Sequence, residues 1–222
     1  MMNYNLFKLM RRIFLPLIGF LIWSAFTIPA SAENPPGKKI IFLGDSITAG
    51  YGLDDPDKEA YPALIQERIS AAGIKAQVIN AGISGDTTAG GLRRVKWALQ
   101  NGADILVIAL GANDGLRGVD PKQTASNLKE TILAARKINP DMVILVAGMQ
   151  MPENMGKDYV GQFAAVFLQI ARDQKVLLIP YLLEGVGGIP EMNQPDYIHP
   201  TKNGQSVIAS NVWTYLEPVI KK

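Results

Sequence analysis

The chain has 222 residues, 48% of them hydrophobic and 19% charged, with a formal net charge of +2. This excludes a disordered tail and a highly charged nucleic-acid arm, and the length suits one domain with a full core. Cysteine is absent and His199 is the only histidine, which excludes disulfides, a cysteine nucleophile and a zinc site built on several imidazoles.

At the N-terminus, Lys8, Arg11 and Arg12 precede an apolar stretch from Ile13 to Pro29 that ends in Ala30-Ser31-Ala32. A basic start, an apolar core and small residues before the cut predict an export signal over residues 1–32, cleaved after Ala32. The stretch approaches the ~20 residues of a spanning helix, but Pro16, Gly19 and the Ala-Ser-Ala ending favour cleavage. Arg11-Arg12-Ile13-Phe14-Leu15 also partly resembles a twin-arginine signal. Either route predicts a periplasmic or secreted protein. Cleavage removes all three of those positive charges and leaves the rest close to neutral. Electrostatics then gives no case for nucleic acid or for a stable membrane partner. Residues 33–37 read as a linker and 38–222 as a single domain.

From there strands and helices alternate. Lys39–Leu43 is a short apolar, β-branched run, and Tyr61–Ala72 carries Leu64, Ile65 and Ile69 at helical spacing. Gln77–Asn80 reads as a strand, Thr88–Gln100 as a helix and Ile105–Leu110 as a buried strand. Asp120 and Pro121 open the next helix as N-cap and first residue. It carries Leu128, Ile132 and Ala135 on one face and stops at Asn139-Pro140. Met142–Ala147 is a fourth strand. Phe163, Val166, Phe167 and Ile170 mark a helix, and Val176–Ile179 a fifth strand. Thr201 caps a last helix that buries Ile208, Val212 and Leu216. Five buried strands alternating with helices predict a parallel sheet with helices on both faces. In such folds ligands bind beyond the carboxyl ends of the strands, so chemistry is expected in the strand-to-helix loops.

Four segments there hold chemically capable residues. Gly44-Asp45-Ser46-Ile47 follows the first strand and places a serine hydroxyl at a helix start. Asn80-Ala81-Gly82-Ile83-Ser84-Gly85-Asp86-Thr87 follows the second and offers backbone N–H groups. Gly111-Ala112-Asn113-Asp114-Gly115 follows the third, and the Asn113 amide can donate to a developing oxyanion. Asp196-Tyr197-Ile198-His199-Pro200 places a carboxylate three residues before the only imidazole, close enough to orient it. Taken singly, each is an ordinary turn or cap. Together they supply a nucleophile, oxyanion donors and an oriented base, the set that acyl transfer requires. Arg93, Arg94 and Lys96 read as a solvated helix face.

In order and spacing, Gly44-Asp45-Ser46-Ile47, Gly82, Gly111-x-Asn113-Asp114 and Asp196-x-x-His199-Pro200 resemble the four blocks of the GDSL, or SGNH, hydrolases. The resemblance spans the chain after residue 32. It is nearest the exported bacterial subgroup of multifunctional thioesterase, protease, lysophospholipase and arylesterase. It implies a flavodoxin-like three-layer α/β/α sandwich on a five-stranded parallel sheet. It also implies Ser46 as nucleophile, His199 as base, Asp196 as its orienter, and an oxyanion hole of Ser46 N–H, Gly82 N–H and the Asn113 side chain. Two departures stand out. Ile47 replaces the usual Leu, and Tyr197 replaces the Gly often found before Ile-His.

The expected reaction is two-step hydrolysis of an ester or thioester through an acyl-enzyme, needing no metal or cofactor. Activity is expected to fall in acid, where the imidazole is protonated. The acyl group needs an apolar groove, with Ile83, Leu116, Met149, Met151, Pro152, Met155 and Ile198 as its expected walls. The expected substrate is a small molecule with a medium-to-long acyl chain, such as a lysophospholipid or an aryl ester, handled by a monomer. Two alternatives stay open, an acetyl esterase acting on polysaccharide and a non-catalytic acyl-chain-binding protein.

Overall fold

A computed structural model describes residues 37–222, so the expected export signal and most of the linker lie outside the described residues. Each apolar run forms a strand within a residue or two of its expected limits. These are β1 (Lys38–Gly44), β2 (Ala76–Gly82), β3 (Ile105–Ala109), β4 (Val143–Ala147) and β5 (Leu177–Ile179). All pair in parallel, in the order β2-β1-β3-β4-β5. The central strands are buried on both faces, and β3 is buried at every position, which is why they read as unbroken apolar runs. The edge strand β2 is only half-buried.

The chain steps from β1 outward to β2, then returns past β1 to begin β3. Right-handed crossovers in opposite directions place their helices on opposite faces. So α3 (Tyr61–Ala71) covers one face, where α8 (Lys202–Ile220) packs beside it. The other face is covered by α4 (Thr88–Ala98), α6 (Pro121–Ile138) and α7 (Lys157–Asp173), each packed on the next. The layers are those of a flavodoxin-like α/β/α sandwich. Local signals set the helix limits as expected. Asp120 accepts the Lys122 N–H at 2.8 Å, and α6 stops before Pro140. Thr201 accepts the Gly204 N–H at 3.3 Å. The apolar faces of α6, α7 and α8 supply Leu128, Ile132, Phe163, Phe167, Ile208 and Val212 to one continuous core.

The helix expected to start at Ser46 is a single turn, α1 (Ser46–Ala49), and two further short helices, α2 (Pro56–Glu59) and α5 (Ala112–Leu116), carry no signal in the sequence. Elements this short show no hydrophobic period. Two of them, α1 and α5, sit at the carboxyl ends of β1 and β3, on either side of the point where the strand order reverses.

Candidate active site

Ser46 begins α1 directly after β1. Its neighbour Asp45 caps that turn, with Oδ1 accepting the Ile47 N–H at 3.0 Å. Three further contacts fix α1 from other elements. Gln205 of α8 donates to the Ile47 carbonyl at 3.0 Å, Thr48 bonds the Tyr61 hydroxyl at 2.8 Å, and Asn80 donates to the Thr48 carbonyl at 2.8 Å. The nucleophile candidate therefore stands on a turn held by two helices and a strand.

The loop before α8 brings His199 to it. His199 Nε2 lies 2.9 Å from Ser46 Oγ, and Nδ1 lies 2.6 Å from Asp196 Oδ2. A carboxylate facing Nδ1 places the proton there and leaves Nε2 to accept from the serine hydroxyl. The other carboxylate oxygen accepts the N–H groups of Ile198 at 2.9 Å and His199 at 3.0 Å. Desolvation pushes the Asp196 carboxyl up, but the hydrogen bonds from His199 and Ile198 outweigh it and hold it down at about 2. Tyr51 covers the imidazole, with ring centroids 4.6 Å apart. Gln194 ties the two segments by donating to the carbonyls of Tyr51 at 2.7 Å and Pro200 at 3.1 Å.

Asp45 is buried, at 1% exposure, and its Oδ2 has no hydrogen-bond partner among the described residues. Burial, with Asp86 and Asp114 nearby, pushes its carboxyl up to about 7. The folded state thus holds this proton more tightly than the unfolded chain does. The resulting stability is present below the ordinary range near ~3.9 and is lost as pH rises through about 7. Asp45→Asn keeps the capping oxygen and removes the buried charge. In thermal melts its Tm is expected to match wild type near pH ~4 and to exceed it by a growing margin toward pH ~8. Equal Tm at both ends would contradict this reading of Asp45.

The expected donor Gly82 is placed differently. Its N–H donates to Asn80 Oδ1 at 2.9 Å, so it is already committed. It is glycine because a Cβ there would collide with the backbone of Thr48 and Ala49 in α1. Three residues on, Gly85 sits in a turn closed by the Asp86 N–H on the Ile83 carbonyl at 3.1 Å. Its φ is +79°, a conformation glycine adopts freely. The N–H groups of Gly85 and Ser46 have no hydrogen-bond partner among the described residues. The Asn113 amide donates one hydrogen to the Asp86 carbonyl at 2.9 Å, which fixes its orientation and leaves its second hydrogen free. In this loop the N–H left without a partner among the described residues is that of Gly85, not that of Gly82.

Arg94 also departs from expectation. It is no solvated face residue, since its side chain is only 13% exposed. Its guanidinium donates to Asp86 Oδ2 at 2.6 Å, the Ala81 carbonyl at 2.7 Å and the Gly44 carbonyl at 2.8 Å. One planar fork thus ties the end of β1, the end of β2 and the Gly85 turn together. Beside it, Asp114 accepts from both the N–H and hydroxyl of Thr88, and Asn127 donates to that hydroxyl at 3.0 Å. These buried bonds anchor α5, which carries Asn113, to α4.

A cleft of about 290 Å³ opens beside the serine. Ile47, Ala112 and Ile198 line it, the immediate neighbours of Ser46, Asn113 and His199. Of the expected walls, Leu116, Met151, Pro152 and Ile198 line it and three do not. Met149 is 2% exposed, near Gly111 and Phe167. Met155 packs against the core, and Ile83 is exposed on the turn. The missed walls are chiefly Tyr181, Leu183, Gly187 and Gly188, which follow β5. The carboxyl-end rule applied to the fifth strand would have found them.

The model of the GDSL-like lipase/acylhydrolase family matches residues 42–207. The esterase TesA of Pseudomonas aeruginosa is 39% identical over 205 residues, covering 92% of this chain and 98% of that protein. The thioesterase 1/protease 1/lysophospholipase L1 of Escherichia coli is 32% identical over 221 residues, covering 99% and 98%. A crystal structure of TesA superposes with a TM-score of 0.77 at 41% identity, over 82% of this chain and 99% of that one.

Proposed function

This chain belongs to the GDSL-like lipase/acylhydrolase family and is a carboxylic ester hydrolase, and we propose that Ser46, His199 and Asp196 are its catalytic triad. The observation that carries the reading is the continuous relay from Ser46 Oγ through the imidazole to Asp196, with contacts of 2.9 and 2.6 Å. His199 takes the Ser46 proton as the serine attacks an ester or thioester carbonyl. The oxyanion forms against the N–H groups of Ser46 and Gly85 and the free hydrogen of the Asn113 amide. His199 then donates its proton to the leaving alcohol or thiol. Water attacks the acyl-enzyme by the same route, and Ser46 is restored. Asp196 stays ionised throughout and steadies the imidazolium.

The cleft takes the apolar part of a small-molecule ester or thioester, bounded by Leu116, Met151, Pro152 and Ile198. The esterase and lysophospholipase names of the relatives support acyl substrates of this kind. Residues 1–32 are the export signal, 33–37 the linker and 38–222 the hydrolase domain, which acts as a monomer outside the cytoplasm.

The test is kcat/KM on p-nitrophenyl esters from acetyl to palmitoyl, with Ser46→Ala in parallel. A Ser46-dependent optimum at medium or long acyl chains is expected. An optimum at acetyl would move the reading to an acetyl esterase acting on polysaccharide. No turnover at any length would leave the acyl-chain-binding protein.

A further inference from the structure

Tyr197 stands between the two carboxylate-bound N–H groups and Asp196, and its φ is 59°, in the left-handed region. The turn requires that conformation. It directs the N–H groups of Ile198 and His199 back onto Asp196 Oδ1 at 2.9 and 3.0 Å and lets the imidazole reach Oδ2. Glycine would adopt it without steric cost, whereas a tyrosine Cβ crowds its own backbone there. Nothing in the fold offsets that cost. The ring is 68% exposed, and the hydroxyl has no hydrogen-bond partner among the described residues. Among the described residues its one hydrogen bond is from its backbone N–H to the Gln194 carbonyl at 2.9 Å, which glycine would make equally well. A strained residue whose side chain serves no purpose in the fold, beside a nucleophile, points to a ligand.

Tyr197 is one of the residues that line the cleft, where Tyr181, Met151 and Ile198 also stand. We propose that Tyr197 is a specificity-determining residue whose ring forms an apolar wall of the cleft and selects esters that carry a flat aromatic group. Aromatic rings favour offset-stacked or edge-on partners, and a thioether such as that of Met151 favours a ring edge. The proposal rests on the serine-esterase reading and assigns selectivity for aryl esters within it to one residue.

Two matched substrate pairs test it. p-Nitrophenyl benzoate against p-nitrophenyl butyrate places the ring on the acyl side with one common leaving group. Phenyl butyrate against hexyl butyrate places it on the alcohol side. The aryl-over-alkyl ratio of kcat/KM is compared across wild type, Tyr197→Phe, Tyr197→Leu and Tyr197→Gly, so intrinsic reactivity cancels. In one of the pairs the ratio is expected to fall about tenfold in the Leu and Gly variants and to hold within about twofold in the Phe variant. That pair identifies the side on which the ring binds. Tyr197→Gly is also expected to raise Tm by about 2–4 °C, because the backbone strain is relieved. A residue that merely holds the loop would lower Tm instead. Unchanged ratios in both pairs, or a lower Tm in the Gly variant, overturn the proposal while Ser46-dependent turnover persists. Wild-type protein with no Ser46-dependent turnover of any ester would overturn the esterase reading and this proposal together.

Discussion

Ser46→Ala is expected to lower kcat by about 10⁴–10⁶-fold, with KM changed only a few-fold. The substitution removes one oxygen from a nearly buried site, so the fold should tolerate it and Tm should stay within a degree or two of wild type, about the shift that follows from less than ~1 kcal/mol. The more diagnostic result comes from the pair. In the proposed relay Ser46 and His199 act as one unit through the 2.9 Å contact. Adding His199→Ala to Ser46→Ala should therefore cost almost nothing further, because the base has no proton left to take. Losses that multiply in the double variant would mean that the two residues work independently, and the relay would have to be abandoned. Steady-state kinetics on a single p-nitrophenyl ester suffices for the comparison.

Asn113→Ala is expected to cost about 10²–10³ in kcat, or roughly 3–4 kcal/mol of transition-state stabilisation, with KM nearly unchanged. A donor that meets the oxyanion only after attack contributes little to ground-state binding, so the loss should fall on kcat. The geometry explains why the amide is poised. One hydrogen is spent on the Asp86 carbonyl at 2.9 Å, and that carbonyl belongs to the residue after Gly85. Arg94 in turn holds the Asp86 carboxylate at 2.6 Å. The side-chain donor and the Gly85 N–H are thereby parts of one braced unit, with little to reorganise as charge develops. A loss of tenfold or less in Asn113→Ala would remove this residue from the oxyanion hole and leave the two backbone N–H groups to act alone.

Much of this was legible in the sequence because the signals are local. Ile105–Ala109 and Val143–Ala147 are apolar at every position, and only a strand buried on both faces needs that. Asp120-Pro121 and Asn139-Pro140 bracket a helix by rules that act within a few residues. Ser46, Asn113, Asp196 and His199 stand out as candidates in the sequence because each lies in or near a loop at the carboxyl side of the sheet. What escaped depends on partners distant in sequence. Gly82 and Gly85 look alike as letters. What separates them is that Gly82 lies under the backbone of Ala49 while its N–H is taken by Asn80. Arg94 sits in a basic run and reads as solvated. The carbonyl of Gly44, fifty positions earlier in the chain, makes it a buried clamp. Met149 and Met151 are two residues apart in an irregular segment, and only tertiary packing decides that Met149 is buried away from the cleft while Met151 lines it.

The catalytic claim rests on Ser46 being a nucleophile activated by His199, and covalent labelling tests that most directly. The protein is treated with a fluorophosphonate, and the adduct is measured by intact mass and located by peptide mapping. One phosphonyl group per chain, on Ser46, is expected, with labelling lost in Ser46→Ala and strongly slowed in His199→Ala. No adduct, an adduct at another residue, or undiminished labelling of Ser46→Ala would contradict the account.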